Sequence, residues 1–326
     1  MTTFGFHASH EQLPPSALLR HVVAAEAAGF GAAMCSDHFA PWSAAQGQSG
    51  FAWSWLGAAM QATSLRFGVV NAPGQRYHPA IVAQAAATLA EMFPGRFWAA
   101  LGTGEASNEH ITGDRWPAKP ARTARLAESV AVIRALLAGE TVSHDGLVTV
   151  DRARLWTRPA TPPPLLGAAV SEGTARWVGG WADGLITTYQ PLDTLRRVIA
   201  AFREGGGDGK PVCVQVHLSW AEDEATALGV AHEQWRANVF PGPLAWELEL
   251  PEQFDAAARH VEPDDVRSAV LVSADLGRHV AWLADLAALG VDEVYLHHVG
   301  QDPHQAPFID AFGAKVLPAL ATGGRS

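Results

Sequence analysis

A (β/α)8 barrel is the fold class this sequence predicts, and three observations predict it. Eight short, nearly continuously apolar runs recur along the 326 residues, each the length of a strand buried on both faces. A helical pattern follows every run, so strands and helices alternate as in a parallel sheet covered by helices. Polar residues gather where the runs stop, and in such a barrel the carboxyl ends of the strands hold the active site.

The units follow in order. Phe4–Ala8 leads to a helical pattern over Ser16–Ala28, with Gly29 placed as its C-terminal cap. Ala32–Ser36 pairs with Trp53–Thr63, and Phe67–Asn71 with Pro79–Met92, where Pro79 suits a first helical turn. Phe97–Leu101 is followed by Arg122–Leu137, Leu165–Ala169 by Gly173–Trp181, and Gly184–Thr188 by Leu192–Glu204. Val212–Leu218 comes before Leu276–Leu289, capped by Gly290, and Glu293–His298 before Phe308–Leu320.

Two stretches interrupt this alternation and read as insertions after strands 4 and 7. Glu140–Pro164 carries a hairpin-like pair, Thr141–Ser143 and Leu147–Val150, around the turn sequence His144-Asp145-Gly146. Ala221–Asp265 is long, bears Pro and Trp, and sits where a lid would hang. Residues 1–326 are therefore expected to form one barrel domain.

Composition narrows the function. The chain is 48% hydrophobic, enough for a large core, and carries a net charge of −10 with no basic stripe, so nothing suggests nucleic acid. No long uncharged apolar run suggests a membrane, and the start Met1-Thr2-Thr3 lacks an export signal. Cys35 and Cys213 lie in strand-like runs and read as reduced core thiols of a cytoplasmic protein. Only Lys119, Lys210 and Lys315 are lysines, and none is expected at a strand end, so Schiff-base chemistry at the barrel mouth is not expected.

The densest chemistry follows the second strand, in Ser36-Asp37-His38-Phe39-Ala40-Pro41-Trp42. An acid, a base and an indole fall within six residues. A carboxylate can fix an imidazole tautomer and raise its basicity, although side chains adjacent in extended backbone diverge. His7 and Glu11 follow the first strand, Asn71 ends the third, Thr187 and Thr188 end the sixth, and His297 and His298 end the eighth. Those last two, being neighbours, should point to opposite faces. Gly102-Thr103-Gly104-Glu105 lacks the third glycine of a dinucleotide fingerprint, so its glycines are expected to admit a ligand close to the backbone. The pair His7 and His10 has the wrong spacing for a metal-binding strand face, and no metal site is expected. The twelve tryptophans, Trp42, Trp53, Trp55 and Trp116 among them, fill core or form an aromatic wall.

Three segments together resemble the luciferase-like oxidoreductases, and most closely their group of glucose-6-phosphate dehydrogenases that use the deazaflavin coenzyme F420. They are Gly5 to Gln12, Ser36 to Trp42 and Gly102 to Glu109, with support from Arg76-Tyr77-His78-Pro79-Ala80, Ala83-Gln84 and Ala182-Asp183-Gly184. The resemblance implies hydride transfer between an alcohol or sugar-like substrate and F420 at the carboxyl mouth of the barrel. It makes His38 the base, Trp42 its aromatic partner, Glu105 the acid and Glu11 an orienting group. It makes Asp37 and Asn108 polar contacts to the cofactor, with Gly104 beside them. A bulge at Val70-Asn71, often with a non-proline cis peptide, would support one ring face, and Ala168, Ala169, Val170, Ser171 and Thr188 would line the phosphate-bearing tail.

The chain also departs from that group. Tyr189-Gln190-Pro191 and Phe254–His260 offer no lysine for a substrate phosphate, and Arg267 matches the group's arginine only loosely. The substrate is therefore expected to be a small, unphosphorylated molecule. Val170-Ser171 replaces a glycine pair at the tail turn, which keeps FMN as an alternative cofactor and, with it, a monooxygenase served by a partner flavin reductase. The likeness further implies a homodimer.

Overall fold

Residues 1–240 and 242–323 of the computed structural model are described. Eight parallel strands close into a barrel: β1 (Thr3–Ala8), β2 (Ala32–Ser36), β3 (Arg66–Asn71), β4 (Phe97–Leu101), β5 (Leu165–Ala168), β6 (Leu185–Thr188), β7 (Val212–Ser219) and β8 (Glu293–His298). The closing pair is β8 against β1, with Phe6 opposite Leu296. The strands stand where the apolar runs place them, within a residue or two at each end.

Alternation along each strand separates two cores. In β4, Phe97, Ala99 and Leu101 face the helices, while Trp98 and Ala100 face the barrel axis. On the axis Trp98, Tyr295, Met34, Leu166 and Cys213 pack together. Two glycines admit the large rings there. A Cβ on Gly68 would stand 1.9 Å from the Trp98 ring, and one on Gly5 would stand 2.7 Å from Tyr295. Nearer the carboxyl end the inward residues become polar: His7, Gln215, His217 and His297. The apolar plug and the polar layer above it leave open space at the mouth.

His297 lies inside, stacked on His7 at 4.3 Å, and His298 packs outward on Phe308 at 4.8 Å, the opposite faces expected of neighbours. A glutamine pair secures the inner ring. Gln12 Oε1 accepts from His297 Nε2 at 2.6 Å, and Gln215 Nε2 reaches His217 and His297.

The hairpin after β4 forms from Val142–Asp145 and Thr149–Ala153, one to three residues beyond the expected bounds. The insertion after β7 contains helices that the sequence did not announce, Glu224–Trp235, Gly242–Glu247 and Pro251–Ala257, and a two-residue strand, Leu271–Val272, beside β7. The bulge expected at Val70-Asn71 is not present. β3 runs in unbroken register with β2 and β4 through these residues, and the one cis peptide among the described residues is Asp302-Pro303. Among those residues no helix is long and apolar enough to cross a membrane.

Candidate active site

A cavity of about 570 Å³ opens at the carboxyl mouth, a size suited to a cofactor or drug-sized ligand. Asp37, His38, Val70, Asn71, Gly104, Glu105, Asn108, Ala168, Ala169, Val170, Ser171 and Thr188 all line it, so the structure gathers these residues from the ends of β2 to β6. Glu11 and Trp42 stand behind the wall, against His38.

His38 is the centre of the arrangement. Its Nδ1 meets Glu11 Oε1 at 2.6 Å, and its Nε2 faces Glu105 Oε2 at 3.9 Å. Burial disfavours the imidazolium, but the charge and hydrogen bond of Glu11, with Glu105 beyond, hold the pKa up at about 9. Glu11 is itself buried, which favours its neutral form, yet His38 outweighs this and Ser9 Oγ donates to its second oxygen at 2.7 Å, so it stays ionised. The Glu105 carboxyl is pushed up by burial, against the pull of His38. Trp42 meets the His38 ring edge-on at 5.5 Å and leans in turn on Phe254 of the insertion at 5.4 Å.

Asp37 is a buried acceptor for the protein itself. Oδ2 receives Trp53 Nε1 at 2.9 Å and Asn71 Nδ2 at 2.8 Å, and Oδ1 receives the Tyr77 hydroxyl at 3.2 Å. Arg76 stands 3.7 Å from the same carboxylate and 3.6 Å from Glu109. Trp53 thus serves as a donor from the core, and Trp55 fills core beside it. Asn108 is similarly engaged: its Oδ1 accepts from Phe39 N at 2.7 Å, tying the loop after β4 to the loop after β2.

Gly104 lines the cavity and also shapes the turn beside it. Its φ is +78°, a left-handed conformation open chiefly to glycine, and a Cβ there would meet Glu109, Ala72 and Trp116. The turn it allows brings Glu105 to the start of the helix Ala106–Glu109. On the far side, Ser171 caps the helix Glu172–Gly179 by accepting from Thr174 N, which leaves the Glu172 and Gly173 amides without helical acceptors.

The cavity-lining residues include buried atoms with no partner in the protein, among them Asn71 Oδ1, Thr187 Oγ1 and Arg122 Nε. Buried polar atoms without partners are costly, so they mark where a ligand with complementary polar edges belongs.

The structure also lines the cavity with Arg122, Gln215 and Trp246, which the sequence did not single out, with Arg76 of the segment that supports the resemblance, and with Lys119. Lys119 is a correction. It lies far from any strand in sequence, yet the segment after β4 folds back and sets it at the mouth, where its Nζ donates to Thr103 Oγ1 at 3.0 Å. Arg267 is instead spent on Glu224 and Asp264 away from the cavity.

The luciferase-like monooxygenase family model matches residues 1–293. An F420-dependent glucose-6-phosphate dehydrogenase of Beutenbergia cavernae is 34% identical, with 98% of each chain covered. The protein of the same description from Mycobacterium tuberculosis is 31% identical over 97% of each. A solved F420-dependent secondary alcohol dehydrogenase, in complex with an F420-acetone adduct, is 30% identical with a TM-score of 0.90, covering 98% of this chain and 99% of that one. The coenzyme F420-dependent tetrahydromethanopterin reductase of Methanopyrus kandleri, at 22% identity and a TM-score of 0.77, shares the fold.

Proposed function

The chain belongs to the luciferase-like monooxygenase family, and from that premise we propose an F420-dependent dehydrogenase of a small, unphosphorylated alcohol, with His38 as its base. It is an oxidoreductase, and F420-dependent hydride transfer is its chemistry. The observation that carries the finer reading is His38, held by Glu11 on one nitrogen and presented to the cavity and Glu105 on the other.

When bound, F420 supplies a two-electron acceptor for the hydride. The residues that would hold it are those with free polar atoms at the cavity wall, Asn71 and Thr187, with Val70 and Gly104 as backbone neighbours. Asp37 acts through Asn71 and Arg76, which it orients. Ala168, Ala169, Val170, Ser171 and Thr188 would lie along the tail, whose phosphate suits the open amides of Glu172 and Gly173.

The protein's own work is proton handling. A carbinol carbon releases hydride readily only as its hydroxyl proton leaves, so a positioned base is needed. His38 Nε2 takes that proton, Glu11 steadies the resulting imidazolium, and Glu105 adds a second negative field across the ring. In the reverse direction the same imidazolium gives the proton to a carbonyl.

The lack of a phosphate on the substrate is supported by Arg76, which is paired with Asp37 and Glu109, and by Arg267, which is held by Glu224 and Asp264 away from the cavity. The chain acts as one domain, in the cytoplasm, where the free buried thiols Cys35 and Cys213 stay reduced. A homodimer is supported by Phe51 and Ile81, 54% and 53% exposed beside a second, apolar groove lined by Trp53 and Tyr77.

Incubation with F420 and a panel of alcohols tests the reading, because loss of the deazaflavin band near ~420 nm reports its reduction. Propan-2-ol should discharge the band and glucose 6-phosphate should not. Turnover of glucose 6-phosphate alone would overturn the substrate reading.

A further inference from the structure

Lys119 and Arg122 lie one turn apart at the start of the helix Lys119–Ala138, on one face, and both line the rim of the cavity. Arg122 is 2% exposed. Its Nη1 donates to Pro117 O at 2.8 Å and to Glu247 at 3.1 Å, and its plane lies 4.5 Å from the Trp116 ring. Its Nε is buried without a partner.

Lys119 is exposed at the rim. One of its three N–H donors goes to Thr103, Trp246 stands 5.8 Å away, and among the described residues no carboxylate pairs with it. Partial burial and the neighbouring Arg122 both press its pKa down, because two like charges are held close together. An anion between them would relieve that repulsion and satisfy the buried Nε.

We propose that Lys119 Nζ and Arg122 Nε hold a carboxylate at the rim of the cavity, with Trp246 beside it. The group is a monoanion, since the charge of Arg122 is already met by Glu247 and Lys119 adds a single unpaired positive charge at the rim. It belongs either to the substrate, which is then a hydroxy acid, or to a carboxylate on the tail of F420; the chemistry at Lys119 is the same. Only the naming of the substrate rests on the dehydrogenase reading, and binding requires no turnover.

The test is equilibrium binding followed by tryptophan fluorescence, with propionate as the probe, propan-1-ol as the uncharged control, and F420 compared with its tail-free deazaflavin. Propionate should bind wild type and weaken with added salt, because the rim is screened. Lys119→Met should weaken it about tenfold and Lys119→Arg should largely retain it, the loss expected of one charged hydrogen bond. If Lys119→Met weakens F420 but not the tail-free form, the carboxylate is the cofactor's, and the site still stands. If neither propionate nor F420 binding moves in a variant with unchanged Tm, the proposal is overturned. Failure of wild type to bind F420 while propionate binds would instead strike the dehydrogenase reading.

Discussion

His38 Nδ1 lies 2.6 Å from Glu11 Oε1, an ion pair in which the acid is buried and the ring reaches the cavity. The pair sets the proton affinity of the base, and the pH dependence of the enzyme follows from it.

Oxidation needs neutral His38, and its pKa is about 9, so kcat/KM for alcohol oxidation should rise with pH up to about 9. Reduction of the ketone needs the imidazolium and should fall over the same range. Glu11→Gln removes the main charge holding the proton and should move both limbs down toward ~6.5. The pair also stabilises the fold. Because the folded pKa is raised, that contribution is complete below ~6.5 and is lost as pH rises through about 9. Paired pH–rate profiles would show the shift, and identical profiles for both proteins would rule out this coupling.

Asp37→Ala should cost stability as well as cofactor affinity. It leaves Arg76, whose side chain is 7% exposed, with Glu109 as its one remaining carboxylate, and removes the acceptor of Trp53, Asn71 and Tyr77. Breaking such a buried pair costs about 3–5 kcal/mol. Chemical denaturation should show the loss, with F420 binding weakened through the freed Asn71. Full stability of the variant would count against a buried hub.

Buried histidines make the fold acid-sensitive. Burial lowers His7 and His298 to about 3 and His217 to about 4. Their folded pKa values lie below the unfolded ~6.5, so the unfolded chain binds more protons and stability falls as pH drops from ~6.5 toward 4. Tm measured at pH 7 and pH 5 should differ clearly, and a flat Tm would mean that these rings are not held neutral.

Trp42→Ala should raise KM several-fold and lower kcat by less than about tenfold. The indole is wedged between His38 and Phe254, and such aromatic contacts contribute about 0.5–1.5 kcal/mol beyond area. Steady-state kinetics would separate the two effects. A loss as large as that of removing the base would give Trp42 a different role.

The barrel was legible because its signals are local. A strand buried on both faces is an apolar run, and β2 and β4 begin and end where those runs do. His38, Asp37 and Glu105 were legible because strand ends mark the mouth. What the sequence did not disclose depends on long-range folding. Lys119 reaches the cavity because the segment after Gly113 doubles back, and Trp246 reaches it on a helix of the insertion after β7. Neither has a periodic signature. The left-handed turn at Gly104 was not visible along the chain, and a bulge was expected where β3 is regular. The partners of Asp37 come from separate segments, so its engagement by the protein was not visible along the chain.

The central claim is that His38 takes the proton while F420 receives the hydride. The most direct measurement is single-turnover reduction of F420 by propan-2-ol, wild type against His38→Ala, across roughly pH 6–9. Loss of a general base costs about 10²–10⁴ in rate, so the variant should slow by that factor while its F420 affinity stays within a few-fold. Near wild-type rates in His38→Ala throughout that range would contradict the account.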